Sequence, residues 1–301
     1  AKTLGDYGDV SRSERDSLLY MSGENLYIEG NCDRAKEVFR NYLKEFSEGS
    51  FSLNARYYLA ECLRSSGDNA QALTLYQDVI AVPSNPFMEQ SLAAAAGIMF
   101  DDEDFPTAFR YYERLETIAA TAGMLTTSLT GQLRSAYELG DAARTIRVSD
   151  KIAAAAGMPD ELNREALFMK ARAHYSLNEF DEALAGFRKV ATEITSAEGA
   201  ESKYMVAELL FKKNQPAESE KVVNEFITQN TPHQFWMARM FLLLSDIAVE
   251  KGDILQAGAT LRSLREYYTV TDDGILDEVR EKLAAIDAME KSGAATPGSG
   301  N

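Results

Sequence analysis

His174 and His233 are the two histidines of this 301-residue chain, and proton transfer or metal binding would have to start from them. Neither has the company such chemistry needs. His233 lies in "TPHQF", a connecting segment, with no second His or Cys at ligand spacing. His174 falls in a helical column otherwise filled by Leu26, Leu63, Met99 and Leu210, which reads as an inward position where a histidine needs one hydrogen-bond partner. "DDEDF" at 101–105 is the densest run of carboxylates. An EF-hand loop would need Gly at its sixth position and Glu at its twelfth; here those are Pro106 and Tyr112, so the run reads as an acidic turn and helix start. Cys32 and Cys62 are too few for a disulfide scaffold, read as two small buried side chains, and leave the redox compartment open. No glycine-rich phosphate loop, Gly-x-Ser-x-Gly elbow or His-Glu-x-x-His pair is present. The expectation is a chain with no catalytic residue, no cofactor and no metal.

The bulk properties narrow the partners. Asp and Glu number 47 against 31 Lys and Arg, a formal charge of −16. Nucleic acid binding rests on cations that displace counterions from phosphates, and anionic membrane surfaces ask for the same, so both are set aside. No apolar run reaches the ~18 residues of a membrane span. The chain does not begin with Met and shows no signal peptide at residue 1, so it is expected to be a processed form or an excised piece. With 45% hydrophobic residues and 7 prolines, the composition favours a continuous, helix-rich core.

What could position such residues is a repeat. "YSLNEFDEALAGFRKV" at 175–190 has the pattern of a helix end, a tight turn and a new helix. Equivalent turns fall at Gly30, Gly67, Glu103, Gly140, Asn178, Asn214 and Gly252, spaced 37, 36, 37, 38, 36 and 38 residues apart. Other columns keep the register. Five residues after each turn stand Ala35, Ala72, Ala108, Thr145, Ala183, Ser219 and Ala257, all small. Nine after stand Phe39, Tyr76, Tyr112, Ser149, Phe187, Val223 and Leu261; twelve after stand Tyr42, Val79, Leu115, Ile152, Val190, Phe226 and Leu264. Seven before stand Gly23, Ala60, Ala96, Leu133, Ala171, Ala207 and Ser245. Small residues set how closely helices approach and large ones fill the space between. Asp33, Asp68, Asp104, Asp141, Asp181 and Asp253 open the second helices, where carboxylates satisfy free amides. Pro86, Pro159 and Pro232 separate the units.

These columns resemble the tetratricopeptide repeat, most clearly in "YYLAECLRSSGDNAQALTLYQDVI" and "KARAHYSLNEFDEALAGFRKV", and the resemblance covers about residues 13–270. It implies an all-α fold, a right-handed α-α superhelix of about seven helical hairpins. The period exceeds the usual 34 residues, so longer second helices or longer loops are expected. The stretch "FRNYLKEFSEGSFSLNARYYLAE" resembles the variety found in the BamD and YbgF families of the bacterial envelope. In repeat four Ala142, Thr145 and Ser149 replace better-fitting residues, and a soft joint is expected there. The expected organisation is an irregular segment 1–12, seven repeats over 13–270, a capping helix at 274–291 with Ile275, Val279, Leu283 and Ile286 on its apolar face, and a disordered tail 292–301.

In stacks of this kind the first helix of each hairpin lines the concave side. Three of its columns share one stripe, ten, six and three residues before the turn. They contribute Tyr20, Tyr57, Phe168 and Tyr204; Arg134 and Arg172, flanked by Glu24, Glu61, Glu208 and Asp246; and Phe100, Tyr137, Tyr175 and Phe211. One reading is a groove with aromatic walls and a charged floor, holding an extended or helical peptide with a central carboxylate near Arg134 and Arg172. The other is that the aromatics pack against the next helix and the arginines are solvated or locally paired. The six-before column has no Asn and the ten-before column no Lys or Arg, so the carboxylate clamp of chaperone-binding relatives is absent. The functional expectation is a non-catalytic interaction scaffold for a peptide or protein partner, periplasmic or outer-membrane-associated if the envelope resemblance holds and cytoplasmic otherwise. A ligand- or peptide-responsive regulatory module of a larger signalling protein is the alternative, and an enzyme accessory or glycan-binding repeat protein the third.

Overall fold

A computed structural model of the chain describes residues 11–229 and 231–294. All regular structure among them is helical. The helices are α1 Arg12–Ile28, α2 Cys32–Glu45, α3 Ser52–Ser65, α4 Asn69–Ala81, α5 Met88–Asp101, α6 Phe105–Ile118, α7 Ala122–Glu138, α8 Ala142–Ala154, α9 Asp160–Ser176, α10 Phe180–Val190, α11 Ala197–Lys212, α12 Pro216–Thr228, α13 Gln234–Glu250, α14 Ile254–Tyr267 and α15 Ile275–Ala294. They pair into seven hairpins with α15 last.

Each hairpin turns where the sequence places it. Gly30, Gly67, Glu103, Gly140, Asn178, Asn214 and Gly252 all have left-handed backbone, with φ between 59° and 82°. Glycine and asparagine reach that region cheaply and glutamate does not. Glu103, at φ 61°, is therefore held there by the helices on either side. We expect Glu103→Gly to stabilise the protein by roughly 0.5–1 kcal/mol, read from the urea midpoint.

The second helices are capped as their acids suggest, with one shift. Asp68, Asp104 and Asp253 accept the amides of Gln71, Thr107 and Gln256, and Asp141 accepts that of Arg144. In the first hairpin Asn31 is the cap and Asp33 lies inside the helix. Glu179 precedes α10 with no side-chain cap bond, which leaves Asp181 in the first turn to meet the helix dipole.

The packing columns are buried in every repeat. The small residues five after the turn are 0–1% exposed, and the large ones nine and twelve after are no more than 9% exposed. Close approach explains the small set: a Cβ on Gly23 would lie 2.7 Å from the Phe39 ring. Each helix from α1 to α7 packs against the next, as does each from α9 to α15, and α1 also meets α3, α5 meets α7, α9 meets α11, α11 meets α13, and α13 meets α15. That alternation is the contact pattern of an α-α solenoid.

The chain divides into two compact units. One runs to Arg144 and takes in Ala155–Met158; the other comprises Thr145–Ala154 and the residues from Pro159 onward. The division falls in the fourth hairpin, where buried Thr145 and Ser149 stand in the packing columns.

One expectation resolves to its second alternative and three need correction. The second helices are not lengthened: they span 11–14 residues. The added period sits in first helices of 14–17 residues and in the connections between hairpins. Ser11 caps α1 through a reciprocal bond with Glu14, so the helix begins at Arg12 and the expected irregular segment loses its last residue; 1–10 lie outside the described residues. The helix expected over 274–291 runs Ile275–Ala294, which removes 292–294 from the expected tail; 295–301 lie outside the described residues. Lastly, Cys32 and Cys62 are joined in a disulfide, their Cα atoms 5.1 Å apart, because the face of α3 that carries Cys62 lies against the start of α2.

Candidate partner-binding face

The first helices carry the ten residues expected to line a groove, five in each unit. In the first unit Tyr20 is buried, Tyr57, Phe100 and Tyr137 are half-buried, and Arg134 is exposed. In the second, Phe168 and Tyr204 are buried, Tyr175 and Phe211 half-buried, and Arg172 exposed.

The ten-before column belongs to the packing. Tyr20 stacks on Phe51 with ring centres 4.5 Å apart and planes 4° from parallel. Tyr57 does the same with Phe87 at 4.3 Å and 16°, and Tyr204 lies 5.4 Å from Trp236. Phe51, Phe87 and Trp236 all stand sixteen residues before their turns, so each aromatic pair fastens one hairpin to the next. This second aromatic column escaped the sequence reading, which compared each column with itself. The signal was there as aromatics separated by 30–32 residues, one step short of the period.

The six-before column is exposed enough to meet a partner but is already engaged. Glu24 accepts the Tyr20 hydroxyl at 2.5 Å, and Glu61 accepts Tyr76 at 2.5 Å and Arg64 at 3.5 Å. Arg172 is paired with Glu201 and lies over the Phe168 ring at 5.8 Å. Burial pushes the Glu201 carboxyl above its ordinary range, against the opposing pull of Arg172. Glu208 meets Lys212 at 3.0 Å, and Lys212 also reaches the Tyr175 hydroxyl and lies 4.8 Å from that ring. Arg239 donates to Tyr204 at 2.8 Å and to Glu278 of α15 at 2.6 Å; Lys282 joins Asp246 at 2.6 Å. A polar ladder therefore crosses the second unit from Arg172 to α15.

The three-before column differs from both. Tyr27, Phe100, Tyr137, Tyr175 and Phe211 are half-buried rings. Phe100 leans on Phe105 at 5.2 Å and Tyr175 on Phe180 at 5.8 Å, with each residue still partly exposed.

The histidines stay structural. His174 Nδ1 lies 2.6 Å from a Glu179 carboxylate oxygen, a local contact across the turn, and His233 Nε2 lies 3.0 Å from the Thr195 carbonyl. Among the described residues no group of three His, Cys, Asp or Glu side chains could hold a metal ion, and no helix is long and apolar enough to cross a membrane.

The comparisons with known proteins follow the same geometry. Residues 20–86 and 165–193 match sequence profiles of the tetratricopeptide repeat. The chain carries tetratricopeptide repeats in these two stretches. Similar solved structures include a tetratricopeptide repeat protein from Parabacteroides merdae, 14% identical, with a TM-score of 0.47, over 90% of this chain and 100% of that one. A chain in the structure of Naa15/Naa10 bound to HypK-THB is 12% identical with a TM-score of 0.53, over 95% of this chain and 43% of that one. The apo quorum sensor NprR from B. thuringiensis is 13% identical with a TM-score of 0.48, over 94% and 85%. No curated protein matches in sequence. At these identities the likeness is one of fold.

Burial of the repeat tyrosines sets an alkaline limit. Tyr20, Tyr42, Tyr57 and Tyr76 are all held far above the ordinary phenol range, first by burial. Carboxylates reinforce this: Glu24 and Asp16 accept from Tyr20 and Tyr42, and Glu61 accepts from Tyr76 and lies near Tyr57. A raised folded-state value means the native form keeps protons that the unfolded chain loses near pH 10, so this stability is intact below that pH and falls as pH rises above it. Tyrosinate absorbance should therefore appear for these four in one step that coincides with loss of helical circular dichroism above pH 10. Gradual ionisation with the helices intact would contradict this.

Proposed function

We propose that this chain is a non-catalytic protein-interaction module whose partner contacts the half-buried aromatics of the first helices within the second unit, beside the charged row that borders them. The observation that carries the reading is the contrast between columns. Every column needed for packing is buried, whereas the three-before aromatics of five repeats stay partly exposed. Large rings with little side-chain entropy to lose, next to paired but reachable charges, suit a protein surface better than a small molecule. Because the ladder charges are already paired, the partner must match their alternation of acid and base; the isolated carboxylate envisaged for Arg172 would have to displace Glu201.

The setting we propose is an oxidising one outside the cytoplasm, in a complex of a bacterial envelope. The Cys32–Cys62 disulfide supports it, since such bonds persist where thiols are not kept reduced. It adds to the envelope-type resemblance of the second repeat.

Affinity capture from the source organism, with the partner first identified by crosslinking, tests the binding face. Arg172→Glu combined with Tyr175→Ala and Phe211→Ala should weaken the partner's affinity at least ~30-fold, as loss of an interface centre does, with the far-ultraviolet spectrum unchanged. Full retention of the partner by the folded triple variant would sink the proposed face. Differential alkylation of the protein from its native cells tests the setting: both cysteines should resist labelling until a reductant is added.

A further inference from the structure

The two sulfurs of the disulfide are placed unequally. Cys32 is the first residue of α2, next to the Asn31 cap, and is half-buried. Cys62 lies in α3, is 0% exposed and belongs to the apolar cluster of the first unit.

What covers Cys62 is the first hairpin. The columns twelve and five before the turn are buried in every later repeat: Ala55, Ser91, Ser128, Ala166, Ser202 and Met240 in one, Cys62, Ile98, Ser135, Ala173, Leu209 and Ile247 in the other. Both belong to the face a first helix turns toward the hairpin before it. On α1 the same positions are Leu18, 61% exposed, and Asn25, also exposed. Among the described residues the α1–α2 hairpin thus packs on one side only, which makes it the element of its unit with the least to hold it closed.

We infer that the Cys32–Cys62 bond is a covalent latch protected by the hairpin it secures, so that a thiol reductant reaches it only when α1–α2 opens away from α3. In the closed state an incoming thiolate meets Cys32, and the thiolate expelled would be Cys62 within apolar surroundings, a poor leaving group. The favourable direction is the reverse. Attack on the Cys62 sulfur breaks the protein disulfide, forms a mixed disulfide on Cys62 and releases Cys32 as a thiolate. With dithiothreitol, the reagent's second thiol then displaces Cys62 and closes a cyclic disulfide, so the reagent loses two electrons and two protons and the protein gains two thiols. That approach needs Cys62 uncovered.

Reduction of the native protein by dithiothreitol, quenched with iodoacetamide and followed by mass spectrometry, tests this. The bond should react about a hundredfold or more slowly than oxidised glutathione under the same conditions, and faster as urea rises below the unfolding midpoint. Phe39→Ala, whose ring is fully buried in the first hairpin, should speed reduction at least about tenfold. Asp16→Asn is the milder variant should Phe39→Ala not fold: Asp16 accepts the Tyr42 hydroxyl at 2.5 Å and the Ser50 amide at 3.0 Å, and its loss should move the rate the same way. Phe226→Ala, in the other unit, should leave the rate unchanged. A urea-independent rate within tenfold of glutathione would show direct attack on the closed form, and equal acceleration by Phe226→Ala would show that global unfolding is the gate; either overturns the latch.

Discussion

Replacing both Cys32 and Cys62 with serine should make the first unit unfold about 3–4 kcal/mol more easily than the oxidised parent, a fall of roughly 10 °C in its melting temperature. The bond closes a loop with a sequence separation of 30 residues, and removing it returns that loop's freedom to the unfolded chain. The folded state loses little beyond the bond, because Phe39, Tyr42 and Tyr58 still pack the two hairpins together and Lys36 still donates to Ser66 at 3.2 Å. The reduced parent should melt beside the double variant. Differential scanning calorimetry of the oxidised parent, the reduced parent and the variant measures both; a difference under about 1 kcal/mol would mean that the hairpins hold one another without the bond.

Phe226→Ala should cost about 3–5 kcal/mol, whereas Phe211→Ala on the same pair of helices should cost about 1 kcal/mol. Phe226 is 0% exposed and sits among Ala200, Tyr204, Val223, Met240, Leu243 and Ile247, where a truncated ring leaves a cavity the surrounding helices cannot close. Phe211 is half-buried and borders solvent, so truncation is relieved by water. Urea unfolding of both variants measures the contrast. Equal losses would mean that the open-sided rings are packing residues, and the interaction face would go with them.

The repeat was legible because its signals are local. A left-handed turn residue, a small residue five positions on and large ones at nine and twelve each answer to one physical need, and all seven turns from Gly30 to Gly252 fall where the spacing puts them. Glu103 shows how far register overrides preference: its side chain argues against the turn, and the columns around it still identify it. The candidate face was harder to read, because a ring on a first helix can point to a partner or to the next hairpin. Tyr20, Tyr57 and Tyr204 are committed by Phe51, Phe87 and Trp236, residues from a different column in the following repeat. The charges on that face were ambiguous for the same reason: Glu201, which pairs with Arg172, comes from the next hairpin. The disulfide was missed because two cysteines thirty residues apart look unremarkable in a line. Only the stacking of α2 on α3 brings the first residue of one helix to the last turn of the next.

Helix α15 lays Ile275, Val279, Leu283 and Ile286 on the final hairpin, and ion pairs from Arg239, Arg262 and Lys282 clamp its edges. Its opposite side offers Asp277, Arg280 and Glu281 to water. Repeat arrays carry an intrinsic hazard, since any uncovered end is a template on which another molecule's hairpin can continue the stack, and head-to-tail growth of that kind has no natural stopping point. The charged outer side of α15 disfavours the docking of a further hairpin there.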